Sequence, residues 1–315
     1  MRALGVINYG GPKNLELLEV AEPVPGEGEV RVRIHAAAVS PTDLMLRNGQ
    51  HAATISAQNL QPPYIPGMDL AGVVDALGPG HDGRLKVGDP VVGIVLPFPT
   101  GAYADKIVLP VESVVAAPDG VDFVAASTLL MNAATARIAL DQLALAPGQT
   151  LAITGASGAL GVYAIQLAKT DGLTVIADAA PDDVESLRSF GADYLVPRRG
   201  DFVADVRALV PDGVDGVLDA AVLNGATFGA IRDHGQLAVV RAWDGIGERG
   251  IQVHRVYVGS VLKETALLQE LVRQAEEGVL TLRVADVFAP EDAWKAHEQL
   301  EAGRVRGRFV IDFSS

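Results

Sequence analysis

A strand-like run feeds three spaced glycines in Thr150-Leu-Ala-Ile-Thr-Gly-Ala-Ser-Gly-Ala-Leu-Gly161, and an apolar, helix-like run continues to Lys169. No other feature of the chain constrains its fold as much. Glycine lets the backbone turn sharply and approach a ligand closely. A helix that starts among the glycines offers unpaired N–H groups and a positive dipole end to an anion. Strand, glycine turn and helix together make the cradle of a dinucleotide pyrophosphate. Its backbone would come from Gly155, Ala156, Ser157, Gly158, Ala159, Leu160 and Gly161. Glycines also cluster in ordinary turns, so the reading depends on what surrounds them.

Around and beyond the motif, strand and helix patterns alternate. Strands are expected at Leu151 to Thr154, Thr174 to Ala177, Tyr194 to Val196, Gly216 to Ala220 and Gln236 to Val240. Helices are expected at Ala159 to Lys169, Pro181 to Phe190, Asp201 to Leu209 and around Ala226 to Arg232. Such alternation implies a parallel sheet covered on both faces, with its ligand crevice at the carboxyl ends of the strands. A long helix over Val124 to Leu143 precedes it. Residues 1 to about 110 read differently, as short extended runs with Gly and Pro between them. Val30 to His35 alternates with period two, as a half-buried strand does. The tail adds a helix at Leu262 to Glu277, a strand at Leu282 to Val287, a helix at Pro290 to Leu300 and a last strand at Gly307 to Asp312. The expected class is α/β, with a cofactor-type unit (122–261) inserted in a β-rich unit (1–121 and 262–315).

A length of 315 residues suits two domains. With 49% hydrophobic and 20% charged residues, the chain has ample material for cores. A formal net charge of −14 opposes binding to nucleic acid or an anionic membrane. The absence of cysteine excludes disulfides and cysteine-based zinc sites. The N-terminus lacks a signal-peptide pattern, and no uninterrupted apolar run reaches the ~18 residues of a membrane span. The expectation is a cytoplasmic enzyme.

Several passages resemble the medium-chain dehydrogenase/reductase superfamily, in its zinc-independent quinone oxidoreductase branch. They are Ala38-Val-Ser-Pro-Thr-Asp-Leu-Met-Leu-Arg-Asn-Gly49, Pro63-Tyr-Ile-Pro-Gly-Met-Asp-Leu-Ala-Gly-Val-Val74, Val87-Gly-Asp-Pro-Val-Val-Gly93, Met131-Asn-Ala-Ala-Thr-Ala136 with the glycine motif, and Gly303-Arg-Val-Arg-Gly-Arg-Phe-Val-Ile-Asp312. The resemblance covers nearly the whole chain in order. It implies a GroES-like β-rich catalytic domain and an inserted Rossmann domain, a doubly wound parallel sheet, with the active site in the cleft between them.

Zinc-dependent relatives place a cysteine where this chain has Ser40, and His-Glu where it has Met68-Asp69. A hydroxyl and a thioether are poor ligands for a catalytic zinc, and the six histidines show no ligand spacing, so no metal is expected. Without a Lewis acid, hydride transfer favours acceptors that are already electrophilic, namely quinones and α,β-unsaturated carbonyls. By resemblance Ser40 lies near the nicotinamide. Met45 stands where many relatives carry a tyrosine proposed to contact substrate, and Tyr64 is the candidate substitute unless it packs on the Pro62-Pro63 turn. Asn132 and Thr135 match the stretch supporting the nicotinamide. Asp43 and Arg47 match a recurring pattern that reads equally as a structural ion pair or helix-end contact.

Cofactor choice rests on two rival signals. An acidic residue ending the second strand of the inserted sheet favours NADH, and Asp178 is the candidate. Arg198 and Arg199, after the third strand, suit the 2′-phosphate of NADPH. NADPH leads by resemblance, with NADH open on local charge. The alternatives to a quinone or enone reductase are an enoyl-thioester reductase and a cofactor-binding structural or sensor protein with little turnover. A homodimer is implied by resemblance, through an apolar edge strand near Ile251 to Val258.

Overall fold

The computed structural model describes residues 1–96 and 100–314. It divides into two compact units, one of residues 1–131, 259–277 and 282–315, the other of residues 132–258 and 278–281.

The second unit is built on a six-stranded sheet whose strands all run parallel. Its spatial order is Tyr194–Pro197, Thr174–Ala179, Thr150–Thr154, Val214–Asp219, Ile231–Val239, Gln252–Arg255. Counted along the chain this is 3-2-1-4-5-6, the doubly wound order of dinucleotide-binding sheets. The central strands bury both faces, as a parallel sheet covered by helices requires. Ala152, Ile176, Val217 and Leu237 meet Val206 and Phe228 in one core.

The first unit carries a mostly antiparallel sheet in the order Val284–Phe288, Arg308–Asp312, Glu29–Ala38, Asp69–Leu77, Pro90–Ile94, Val114–Ala116, with Lys106–Pro110 also pairing on Glu29–Ala38. The last strand, Arg308–Asp312, pairs antiparallel with Ala36 to Ala38. The chain thus returns to the sheet it began, and distant residues become neighbours. Val30, Val32 and Ile34 alternate into the core with Leu4, Leu70, Tyr103 and Ile311.

Among the expected elements that differ from those observed are two helices. The helix expected over Val124 to Leu143 is two helices, Phe123–Ala126 and Leu130–Leu143. The Ser127 and Thr128 hydroxyls donate back to the carbonyls of Val124 and Ala125, at 2.8 and 2.7 Å, and close a turn that interrupts the helix. The expected helix around Ala226 to Arg232 is a 3-10 helix, Asn224–Ala230, and Ile231 and Arg232 already belong to the strand Ile231–Val239. Local periodicity did not reveal that Ile231 pairs with Val214 on the neighbouring strand.

Candidate active site

The glycine turn lies at the carboxyl end of the strand Thr150–Thr154 and leads into the twelve-residue helix Ala159–Thr170. Gly155 has φ +64°, and a Cβ there would stand 3.0 Å from the carbonyl carbon of Ala220. At Gly161 a Cβ would stand 2.6 Å from Ala156 Cα and from the Gly155 carbonyl oxygen. The first position needs a left-handed backbone and the second needs no side chain. Gly158 is the N-cap and supplies no capping side chain, which leaves the helix start to an outside acceptor. Below the turn, the Thr154 hydroxyl donates to buried Asp219 at 2.6 Å and accepts the Ala221 N–H at 3.1 Å. The residues present therefore fit a pyrophosphate. Gly161→Val is expected to cost about 1–3 kcal/mol through overpacking and to close the turn to a pyrophosphate, read by thermal denaturation and by fluorescence titration of reduced nicotinamide nucleotides.

Asp178 and Arg198, set against each other as rival cofactor signals, are partners in the structure. The Asp178 carboxylate accepts the Ala156 N–H of the glycine turn at 2.7 Å. Arg198 donates to it through Nε at 3.1 Å and through Nη2 at 3.4 Å, and Nη2 also reaches Ser157 Oγ at 2.9 Å. A guanidinium thus stands over the turn, and its charge offsets that of Asp178. Arg199 is exposed. Asn132 and Thr135 are half-buried on the helix Leu130–Leu143, three residues apart and so on one face.

In the first unit, Ser40 caps the short helix Pro41–Arg47 and is buried. Its Oγ accepts from Arg308 Nη2 at 3.0 Å. The same Nη2 donates to Asp69 Oδ2 at 2.9 Å, and Arg308 Nε donates to the Val39 carbonyl at 3.1 Å. The other Asp69 oxygen accepts the Met131 N–H at 2.7 Å. Burial pushes the Asp69 carboxyl up from the usual range, and the Arg308 charge pulls it back down. Met68, next to it, is buried. Arg308 was not anticipated from the sequence. A single base at the head of an otherwise apolar strand, Arg308-Phe-Val-Ile, was its available signal.

Met45, on the same short helix, is half-buried. Tyr64 stacks its ring on Tyr9, with centroids 5.5 Å apart and planes 10° apart, and its backbone pairs with Val6. Asp43 and Arg47 form no ion pair with each other. Asp43 is fully buried and accepts the Ser40 N–H at 2.7 Å, the Gly67 N–H at 2.8 Å and the Tyr103 hydroxyl at 3.1 Å. Burial raises its pKa to about 6 against these donors. Asp43 therefore ties the Ser40 helix start to the segment that carries Met68 and Asp69. Arg47 instead pairs with Glu301. Tyr103 also meets buried His297, with Oη and Nε2 3.5 Å apart.

Among the described residues no cluster of three His, Cys, Asp or Glu side chains is arranged to hold a metal ion. The donor set at Ser40, Met68 and Asp69 suits zinc poorly on chemical grounds, since both Asp69 oxygens are already committed.

Comparison with known proteins places these features in context. Residues 26–119 match the family described as alcohol dehydrogenase GroES-like domain, and residues 190–311 match the family described as zinc-binding dehydrogenase. A quinone oxidoreductase of Pseudomonas aeruginosa is 30% identical, covering 96% of this chain and 97% of that protein. Among solved structures, the CurK enoyl reductase superposes with a TM-score of 0.88 at 25% identity, covering 99% of this chain and 98% of that one. A mycobacterial protein solved in complex with NADPH superposes with a TM-score of 0.86 at 26% identity, covering 99% of this chain and 100% of that one.

Proposed function

Because the chain belongs to the quinone oxidoreductase branch of the medium-chain dehydrogenase/reductase superfamily, we propose that it is a zinc-independent, NADPH-dependent reductase of quinones and α,β-unsaturated carbonyls. The observation that carries this reading is the Ser40–Asp69–Arg308 constellation. A guanidinium, rather than a set of metal ligands, holds the side chains at these positions. Such a site would offer no Lewis acid to polarise a simple ketone or alcohol, which favours an acceptor that is already electrophilic. The bound nicotinamide would supply the hydride.

The chain's own residues would do the rest. The N–H groups at the start of the helix Ala159–Thr170 would take the pyrophosphate, and Asn132 and Thr135 would support the nicotinamide. Ser40 and Met45 would flank the acceptor, with Tyr64 held in its stack on Tyr9, and solvent would protonate the product. Preference for NADPH is supported by Arg198, whose charge offsets Asp178 beside the glycine turn. Arg198→Ala should weaken NADPH binding about 10- to 100-fold, the value of one or two charge-assisted bonds to a phosphate. NADH binding should change only a few-fold. Equal losses for both nucleotides in equilibrium titrations would remove Arg198 from this role. One edge of the parallel sheet, Gln252–Arg255 within the stretch Ile251 to Val258, is the proposed homodimer contact, and light scattering tests it.

The decisive assay tracks loss of reduced-nicotinamide absorbance with naphthoquinones, simple enones and a crotonyl thioester. Turnover of the first two, undiminished by a strong zinc chelator, is expected. Thioester turnover alone would favour an enoyl-thioester reductase, in line with the likeness to an enoyl reductase. Tight nucleotide binding without turnover of any of the three would leave a cofactor-binding protein.

A further inference from the structure

In reductions of this class, hydride adds to the β-carbon of an enone and the C=C pair moves to give an enolate. The carbonyl oxygen then carries negative charge until water protonates the α-carbon. Preorganised donors aimed at that oxygen contribute most to such a step. Arginine has no acceptor, so the 3.0 Å contact between Arg308 and Ser40 runs in one direction only, from Nη2–H into a lone pair of Oγ. The Ser40 hydrogen is then left to donate, and among the described residues no protein acceptor takes it. A neighbouring cation further polarises the hydroxyl. Arg308 itself is held by three acceptors, Val39 O, Asp69 Oδ2 and Ser40 Oγ. It is 5% exposed, so its direction is fixed. Its remaining nitrogen, Nη1, is buried without a protein partner. Buried donors are rarely left unmade, so Nη1, like the Ser40 hydroxyl, is open to an acceptor the chain does not supply.

We infer that Ser40 donates its hydroxyl hydrogen to the substrate oxygen that gains charge, and that Arg308, anchored on Asp69, is the positioning residue that aims it. This rests on the proposed reductase reading and names the group that stabilises its enolate. It also accounts for the missing phenol at Met45, because the hydrogen bond comes from the opposite end of the same short helix.

The test combines binding and turnover. p-Nitrophenol mimics an enolate when ionised, and its absorbance reports which form is bound. The NADP⁺-loaded wild-type protein should prefer the phenolate and lower the apparent pKa of the bound phenol. Ser40→Ala should lose that preference about tenfold or more and lose about 10²-fold in kcat on enones, with nucleotide affinity unchanged. Ser40→Thr, which keeps the hydroxyl, should retain both properties and shows that the fold survives change at this position. Arg308→Lys keeps the charge without the fixed fork. It should lower kcat alone but add little in the Ser40→Ala background, as expected of a residue acting through another. Wild-type phenolate preference in Ser40→Ala would overturn the donor assignment, and full additivity would overturn the positioning role. Should the wild type reduce nothing yet bind phenolate through Ser40, the reductase reading falls while the donor pair stands.

Discussion

Arg308→Met should destabilise the protein by about 3–5 kcal/mol near neutral pH, the usual loss when one member of a buried ion pair is removed. Arg308 and Asp69 are both buried, and their contact is 2.9 Å. Taking away the guanidinium leaves Asp69 with only the Met131 N–H. Its carboxyl, already pushed up by burial, loses the charge that pulled it down. The group then escapes its penalty by taking a proton, so the loss should shrink as pH falls. The double variant Arg308→Met/Asp69→Asn should regain more than half of the stability, because Asn keeps a carbonyl for Met131 and carries no charge. Urea unfolding followed by circular dichroism gives both numbers. A loss below about 1 kcal/mol would class the pair with solvent-screened surface bridges.

The strength of this pair also marks where sequence reading succeeds and where it stops. Contiguous signals were readable: the glycine turn, the alternating strands around it and the period-two run at Val30 to His35. Each is written within a dozen residues, where backbone geometry and side-chain period act directly. Resemblance supplied Ser40 but not its partner Arg308. Ser40 and Arg308 are 268 positions apart, and Asp69 and Arg308 are 239 apart. Only the pairing of the last strand with Ala36 to Ala38 brings them together. No local rule encodes that pairing. Asp178 and Arg198 are closer in sequence, yet reading each as a lone signal made them competitors. The parallel pairing of Thr174–Ala179 with Tyr194–Pro197 places both beside the glycine turn and makes them one unit. The interrupted helix at Ser127 and Thr128 failed for a different reason, since two hydroxyls outcompeted an otherwise helical apolar pattern.

His297 carries the second large effect, one that only pH exposes. It is fully buried on the helix Ala293–Ala302, with Tyr103 edge-on to its ring at a centroid distance of 5.9 Å. Burial, assisted by the nearby Arg47 charge, lowers its pKa to about 3 from an ordinary 6.5. Between these values the unfolded chain binds a proton that the folded protein refuses. Stability from this group is therefore complete above about pH 6.5 and falls with acid, by about 1.4 kcal/mol per pH unit. Asp43 acts in the opposite sense. Its folded pKa of about 6 lies above the ordinary 3.8, so its contribution grows as pH falls through that window. The two slopes partly cancel in the wild type, which hides both. His297→Gln removes one and keeps the other. Its stability relative to wild type should be lowest at neutral pH and rise steadily toward pH 4, crossing the wild-type curve within that range. Parallel curves from urea unfolding across the range would mean that His297 titrates freely in the folded protein, against its burial.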